Sequence, residues 1–306
     1  MNQPAEALLK RLFQSGGQVP LSFEFFPPKT ALAREHLLEA ADRLAPVAGD
    51  GFSVTMGAGG STRSRTQETA VAIAERCKRP MTAHITALGM SKTEALSCAN
   101  DLWSSGVKRI LALRGDRPKV MTEIPSGFDH ASDLVRAISR QHPFEIAVAA
   151  YPEKHPDALD LETDIDHLKE KFDAGASRAY CQFVLDPASY GRFLEKCDHR
   201  GIQAPIVPGL MPLDDWQRMR SFAQANGTGI PEWLDKLFAL GETTPEIMPN
   251  LAVATMIEQA RRLIAYGAPA LHVYTMNRWP LPLTLARLLG HKPARSDLRE
   301  VSGGVV

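Results

Sequence analysis

MTAHITALGMSKTEALSCANDLWSSGVKRILAL, residues 81–113, holds one complete structural unit of this chain. It opens with a short β-branched run (Met81–Thr86), continues with a longer stretch of helical period, passes a glycine (Gly106) and ends in a second apolar run (Arg109–Leu113). Short runs bounded by turn residues read as strands, and longer stretches of period 3.6 read as helices. Gly106 sits where a helix must end, in a left-handed conformation that glycine accepts. The unit recurs in both directions. Further runs are Leu21–Phe26 (LSFEFF), Gly51–Thr55 (GFSVT), Phe144–Tyr151 (FEIAVAAY), Arg178–Val184 (RAYCQFV), Ala204–Leu210 (APIVPGL) and Pro269–Thr275 (PALHVYT), which makes eight candidate strands. Helical stretches include Ala33–Leu44 and Val253–Ile264, the latter with Val253, Met256, Ile257, Ala260 and Ile264 on one stripe. Gly175, Gly201 and Gly267 repeat the helix-ending device.

Eight strand–helix units predict an α/β fold, a closed (βα)8 TIM barrel. A doubly wound open sheet would need a phosphate-binding glycine turn after the first strand, where this chain has Phe26-Pro27-Pro28. Residues 226–249 read as an excursion between the seventh and eighth units. Residues 1–306 form one domain in this reading, with 1–17 as an N-terminal extension and 296–306 as a frayed tail.

Composition narrows the function. Lys+Arg and Asp+Glu both total 35, so no basic or acidic excess points to a nucleic acid or an anionic membrane surface. No window reaches the roughly 20 apolar residues of a membrane span, and the N-terminus carries Glu6 rather than a signal sequence. Cys77, Cys98, Cys181 and Cys197 include no CxxC pair and read as reduced thiols of a cytoplasmic protein.

The active site of such a barrel lies at the C-terminal ends of its strands. Strand one delivers Glu24, strand two Thr55 and the loop MGAGGSTRSRT, strand three His84 and Thr86, and strand four Arg114, Gly115 and Asp116. Strand five delivers Tyr151, Glu153 and His155, strand six Gln182 and Asp186, strand seven Pro208 and Gly209, and strand eight Tyr274, Asn277 and Arg278. Glu24 lies among Phe23, Phe25 and Phe26. Desolvation by those rings would raise its pKa and make it a proton donor near neutrality; the alternative is a buried ion pair, with Arg278 as partner. Arg114 could fork onto a phosphate or form a plain loop ion pair. His84, taken by itself, reads better as a satisfied core imidazole than as a functional group. The loop after strand two has the composition of a phosphate cradle or of a solvated loop. His84, His155 and His167 raise a metal reading, but the HxH pair of metal-dependent barrels is absent near strand one, so no metal is expected.

Several motifs together resemble one family. SFEFFPPK (Ser22–Lys29), SVTMGAGG (Ser53–Gly60), LRGD (Leu113–Asp116), AAYPEKHP (Ala149–Pro156), KFDAGASRAYCQF (Lys171–Phe183), PGLMP (Pro208–Pro212) and YTMNR (Tyr274–Arg278) are similar to the bacterial-type methylenetetrahydrofolate reductases, in the same order and over nearly the whole chain. The resemblance implies FAD across the barrel mouth, NADH or NADPH as co-substrate and a folate substrate, in a homo-oligomer (dimer or tetramer). It implies Glu24 as catalytic acid and Asp116 as a second catalytic carboxylate near flavin and pterin. Cofactor contacts would be Thr55 (to the nicotinamide), Ala58, His84, Arg114, Gly115, Asp116, His130, Ala131, Tyr151, His155, Ala158, Asp164, His167 and Lys171. Substrate contacts would be Glu24, Asp116, Gln182, Phe222, Tyr274 and Arg278. The chain departs from the family at Met56, His130, His167, Glu170, Val184-Leu185 and Arg218. The implied reaction passes a hydride from nicotinamide through the flavin to 5,10-methylenetetrahydrofolate, giving 5-methyltetrahydrofolate, or runs in reverse. The competing readings are another FAD-dependent barrel such as a proline dehydrogenase, a metal-dependent barrel hydrolase or lyase, and a non-catalytic folate-binding scaffold.

Overall fold

The computed structural model describes residues 19–57, 62–115 and 127–291. The expected N-terminal extension and C-terminal tail lie outside the described residues, as do Ala58 and Asp116. Eight parallel strands close into one barrel in sequence order, with β8 paired to β1. They are β1 Leu21–Phe25, β2 Gly51–Val54, β3 Met81–Thr86, β4 Arg109–Leu113, β5 Glu145–Ala150, β6 Arg178–Phe183, β7 Ile206–Leu210 and β8 Leu271–Tyr274. Each falls within the run that predicts it. β7 starts two residues late because Pro205 has no amide hydrogen for the ladder.

The surrounding helices are α1 Ala31–Leu44, α2 Arg63–Cys77, α3 Lys92–Ser104, α4 Ala131–Ser139, α5 Leu161–Asp173, α6 Pro187–His199, α7 Trp216–Asn226, α8 Glu232–Glu242, α9 Met248–Ala265 and α10 Pro280–Leu288. α8 is the excursion expected between the seventh and eighth units. Gly106, Gly175, Gly201 and Gly267 all take positive φ, as the helix-ending device requires. Ser91 caps α3 in a reciprocal capping box with Glu94.

Successive side chains of a strand point to opposite faces. In β1 and β2 this sends Phe23, Phe25 and Phe52 outward, where their rings meet each other at 5.8–6.3 Å within the barrel–helix core. Inside, Leu111, Ala147, Tyr180, Val207 and Ala270 form a small apolar cluster in the lumen. Beneath it the strand starts supply charge. Arg178 donates to both Asp50 oxygens (2.9 and 2.7 Å) and pairs with Glu145 at 3.1 Å. Arg109 donates to Glu145 at 2.8 Å and to the Asp50 carbonyl at 3.1 Å. This network ties β2, β4, β5 and β6 together across the barrel floor. Removing Asp50 leaves Arg109 and Arg178, both partly buried, to share the Glu145 carboxylate alone. Asp50→Ala is therefore expected to cost about 3 kcal/mol of stability, measured as a drop in denaturation midpoint; a midpoint within error of wild type would show that the network carries no net stability.

The β8–β1 seam has its own stitching. Thr275 gives both its amide (3.1 Å) and its hydroxyl (2.7 Å) to the Glu24 carbonyl. Asn277 then clamps Phe26 from both sides, accepting from its amide and donating to its carbonyl, each at 2.9 Å. Met276 and Asn277 hold left-handed φ values of 52° and 57° to make that turn. Two consecutive non-glycine residues in that region are a strained arrangement kept up by the surrounding bonds.

Candidate active site

Glu24 points into the upper lumen, and its neighbours differ from those its sequence context suggests. His272 of β8 donates from Nε2 to Glu24 Oε2 at 3.1 Å, and Ser53 of β2 donates at 3.3 Å. His84 of β3 brings Nε2 to 3.3 Å but is not aligned for a hydrogen bond. Behind His272, its Nδ1 shares a 2.7 Å bond with Ser22 Oγ. Burial pushes the Glu24 pKa up, but the charge of His84 and the hydrogen bond from His272 outweigh it and bring it down to about 2. The expectation of a raised pKa is thus overturned. The phenylalanines flank Glu24 along the chain but face the other way, so they do not desolvate it. The alternative partner is overturned too, because Arg278 forks onto Asp214 at 2.8 and 3.0 Å.

A cleft of about 340 Å³ opens at the C-terminal ends of β4, β5 and β6. Its walls gather most of the residues expected to hold a cofactor: Arg114, Gly115, His130, Ala131, Tyr151, His155, Ala158, Asp164, His167 and Lys171, with Met56, Glu170 and Gln182 among the others. Three features suit an anion. α4 starts in this wall with no side-chain cap at His130, which leaves its first amides for a ligand. Arg114 reaches the cleft while paired with exposed Asp157 at 2.6 Å. Lys171 donates to the Ala149 carbonyl at 2.9 Å, and burial lowers its pKa to about 8, partly offset by Asp164. Gly115 has φ +79°, and a Cβ there would sit 3.0 Å from Thr86 Cβ, so the Arg114–Gly115 turn depends on glycine.

The loop after β5 is organised around Lys154. Its ammonium donates to the carbonyls of His155, Pro156 and Ala158, and its φ of 89° folds the chain over it. Asp164 accepts from the His155 amide at 2.8 Å, and the Tyr151 and His155 rings meet edge to face at 4.7 Å. Burial and the nearby Arg114 lower the pKa of His155. Lys154 carried no signal in the sequence beyond its place in the YPEKH motif.

On the other side of the mouth, Gln182 Oε1 accepts from the Phe183 amide at 3.1 Å, and its Nε2 donates to Asn226 Oδ1 at 3.1 Å. Asn226 Nδ2 donates in turn to the Phe222 carbonyl at 2.8 Å. Phe222 packs partly buried on α7, with the Arg218 guanidinium 5.4 Å from its ring centre. The Tyr274 hydroxyl donates to the Cys181 carbonyl at 3.1 Å. Gly209 makes room for that ring: a Cβ there would lie 2.7 Å from it. Arg278 and Asp214 line a separate hollow of about 240 Å³. The structure therefore gathers the cofactor-cleft residues with Gln182. It sets Glu24 with His84 in the lumen, Tyr274 beside them against the His272 ring at 5.3 Å, and Phe222 and Arg278 outside the cleft lining. Thr55 follows β2, its carbonyl accepting from Thr66 at 2.9 Å. Ser22, Ser53 and His272 were missed in the sequence, although each shares Glu24's inward face by strand pairing. Among the described residues no group of His, Cys, Asp or Glu is arranged to hold a metal ion, and no helix is long and apolar enough to cross a membrane.

The family model for methylenetetrahydrofolate reductase matches residues 9–290. A 5,10-methylenetetrahydrofolate reductase of Pectobacterium carotovorum subsp. carotovorum is 36% identical over 288 residues, covering 94% of this chain and 96% of the relative. The enzyme of the same name from Escherichia coli (strain K12) is 34% identical over the same share of each chain. Among solved structures, an uncharacterized Clostridium thermocellum protein that binds two copies of 5-methyl-5,6,7,8-tetrahydrofolic acid shares the barrel with a TM-score of 0.64 at 15% identity, covering 97% of this chain and 99% of that one.

Proposed function

The chain belongs to the methylenetetrahydrofolate reductase family of oxidoreductases, and on that premise we propose that it holds FAD in the cleft between Arg114 and Lys171 and uses NADH or NADPH to reduce 5,10-methylenetetrahydrofolate. The supporting observation is one wall that joins an uncapped helix start, an arginine and a half-buried lysine. That donor set matches the two phosphates of a dinucleotide. FAD supplies, when bound, reversible two-electron carriage between nicotinamide and the one-carbon unit.

The chain's own residues bind, orient and move a proton. His130, Ala131 and Ser132 offer the start of α4 to phosphate; Arg114 and Lys171 supply positive charge. Tyr151, His155, Ala158, Asp164 and His167 line the rest of the cleft. Outside the described residues, Ala58 and Asp116 belong to the same proposal, Asp116 as the second catalytic carboxylate, acting on flavin and pterin. Gln182, Phe222, Tyr274 and Arg278 meet the folate, and Thr55 the nicotinamide. Arg278 must exchange Asp214 for the substrate to do so. Glu24 gives the proton that lets the folate ring nitrogen depart. Its carboxyl is held well below neutrality by His84 and His272, so Glu24 takes up the proton it passes on. The His272 Nε2 contact at 3.1 Å is the route by which that proton arrives as the departing nitrogen gains electrons. A homo-oligomer in the cytoplasm completes the proposal; Cys98, Cys181 and Cys197 are buried and free, as reducing surroundings would leave them.

The purified protein is expected to be yellow, with a flavin spectrum that anaerobic NADH or NADPH bleaches and methylenetetrahydrofolate restores. Protein that retains no chromophore after reconstitution with FAD would end this reading.

A further inference from the structure

We infer that Asn226 is a positioning residue that fixes the carboxamide of Gln182 and links it to the turn of α7 carrying Phe222. The inference rests on the reading of Gln182 as a substrate contact and adds to it the group that sets its orientation.

A carboxamide has two ends of similar shape and opposite hydrogen-bonding character. Which end a ligand meets depends on what holds the other partners. At Gln182 both ends are assigned. The Phe183 amide can only donate, so the atom facing it, at 3.1 Å, is Oε1. Nε2 then points at Asn226, whose Oδ1 accepts at 3.1 Å. The Asn226 amide is assigned in the same way, because the Phe222 carbonyl can only accept and therefore takes Nδ2 at 2.8 Å. The two amides form a chain with one direction, anchored at each end on backbone. Reversing either would set donor against donor or acceptor against acceptor.

Gln182 and Asn226 both line the cleft. With one Nε2 hydrogen and one Oε1 lone pair committed, the second of each remains for a ligand. The face offered is therefore fixed, one donor and one acceptor in known places. Asn226 is the last residue of α7 and lies four positions after Phe222, on the same helix face. A shift of that turn moves the acceptor that holds Gln182. Strand six and helix α7 thus reach the ligand as one unit, joined by a residue that belongs to neither the strand nor a shared motif. The functional consequence is specificity: Asn226 adds to the Phe183 amide a second bar against flipping and fixes where the carboxamide meets its ligand.

The test is a double-mutant cycle on the flavin-loaded enzyme with Gln182→Ala, Asn226→Ala and the pair. Asn226→Leu serves as a second variant that keeps the side-chain shape and loses both hydrogen bonds. Flavin reduction by NADH and flavin reoxidation by methylenetetrahydrofolate are followed separately in single turnovers. In whichever half-reaction Gln182→Ala weakens ligand binding, both Asn226 variants should raise the apparent Kd about three- to tenfold, with the limiting rate changed less than twofold. Asn226→Ala should add nothing once Gln182 is gone. Additive effects, or Asn226 variants of wild-type affinity beside an impaired Gln182→Ala, overturn the inference and leave the reading of Gln182 standing. A silent Gln182→Ala overturns both. Loss of helix packing alone would lower the melting temperature but would leave the two substitutions additive.

Discussion

Glu24→Gln is expected to reduce folate turnover about 10³-fold while the flavin stays bound and nicotinamide still reduces it. The substitution keeps the shape of the side chain and its contacts with Ser53 and His272. It removes the negative charge facing His84 and His272 and, with it, the capacity to take a proton and pass it on. Nicotinamide oxidation needs no proton from this position, so the loss should fall on one half-reaction. Stopped-flow measurement of the two half-reactions separates them, and folate reduction within tenfold of wild type would remove Glu24 from the mechanism. The pH dependence has a defined sign. With its pKa brought from 4.5 in the unfolded chain to about 2 in the folded one, Glu24 contributes stability that is complete above 4.5 and is lost as pH falls towards 2. The Gln variant should lack that part of the acid denaturation slope.

The second large effect is expected at Lys171. Replacing it with Met should weaken FAD retention by one to two orders of magnitude, the scale of a lost charge-assisted hydrogen bond. In the free protein the Lys171 ammonium is held in poorly solvated surroundings, with its pKa near 8 instead of 10.5. Folding therefore works against its charged form below pH 8, and that penalty fades as pH rises from 8 to 10.5. A bound phosphate would relieve it. Two measurable consequences follow together. The flavin-free Lys171→Met protein should melt no lower than flavin-free wild type, because a charge whose desolvation is only partly offset has gone. Flavin affinity of the wild type should fall above pH 8, and that dependence should be missing in the variant. A variant that melts lower and still binds FAD normally would assign Lys171 to the scaffold instead of the ligand.

The sequence carries the barrel clearly because strand and helix periods alternate without interruption, and the left-handed glycines mark where each unit turns. The cleft at the strand ends was legible in part for a related reason: Arg114, Tyr151 and His155 follow strand ends, which the architecture sends to one rim, whereas Lys171 lies within a helix and was indicated only by the family resemblance. What misled was adjacency. Phe23 and Phe25 are Glu24's neighbours along the chain, yet pleating turns them into the helix layer. Its neighbours in space, Ser53, His84 and His272, arrive from three other strands and are fixed by register. Asn226 was out of reach for the same reason. It closes a helix 44 positions from the glutamine it holds, at the edge of an excursion whose geometry no periodicity specifies.

The seam between the first and last strands carries a consequence for how the enzyme comes into being. The bonds that define Glu24's surroundings span almost the entire polypeptide: 248 positions to His272 and 251 to Thr275. Contacts of such separation pay the largest loop-closure entropy and are realised late. A nascent chain emerging from the ribosome can fold its early strands and helices long before His272 exists to meet the carboxylate. Chemical competence therefore begins only when the cylinder shuts, and a chain truncated before residue 271 would carry the acid without the imidazole that supplies it.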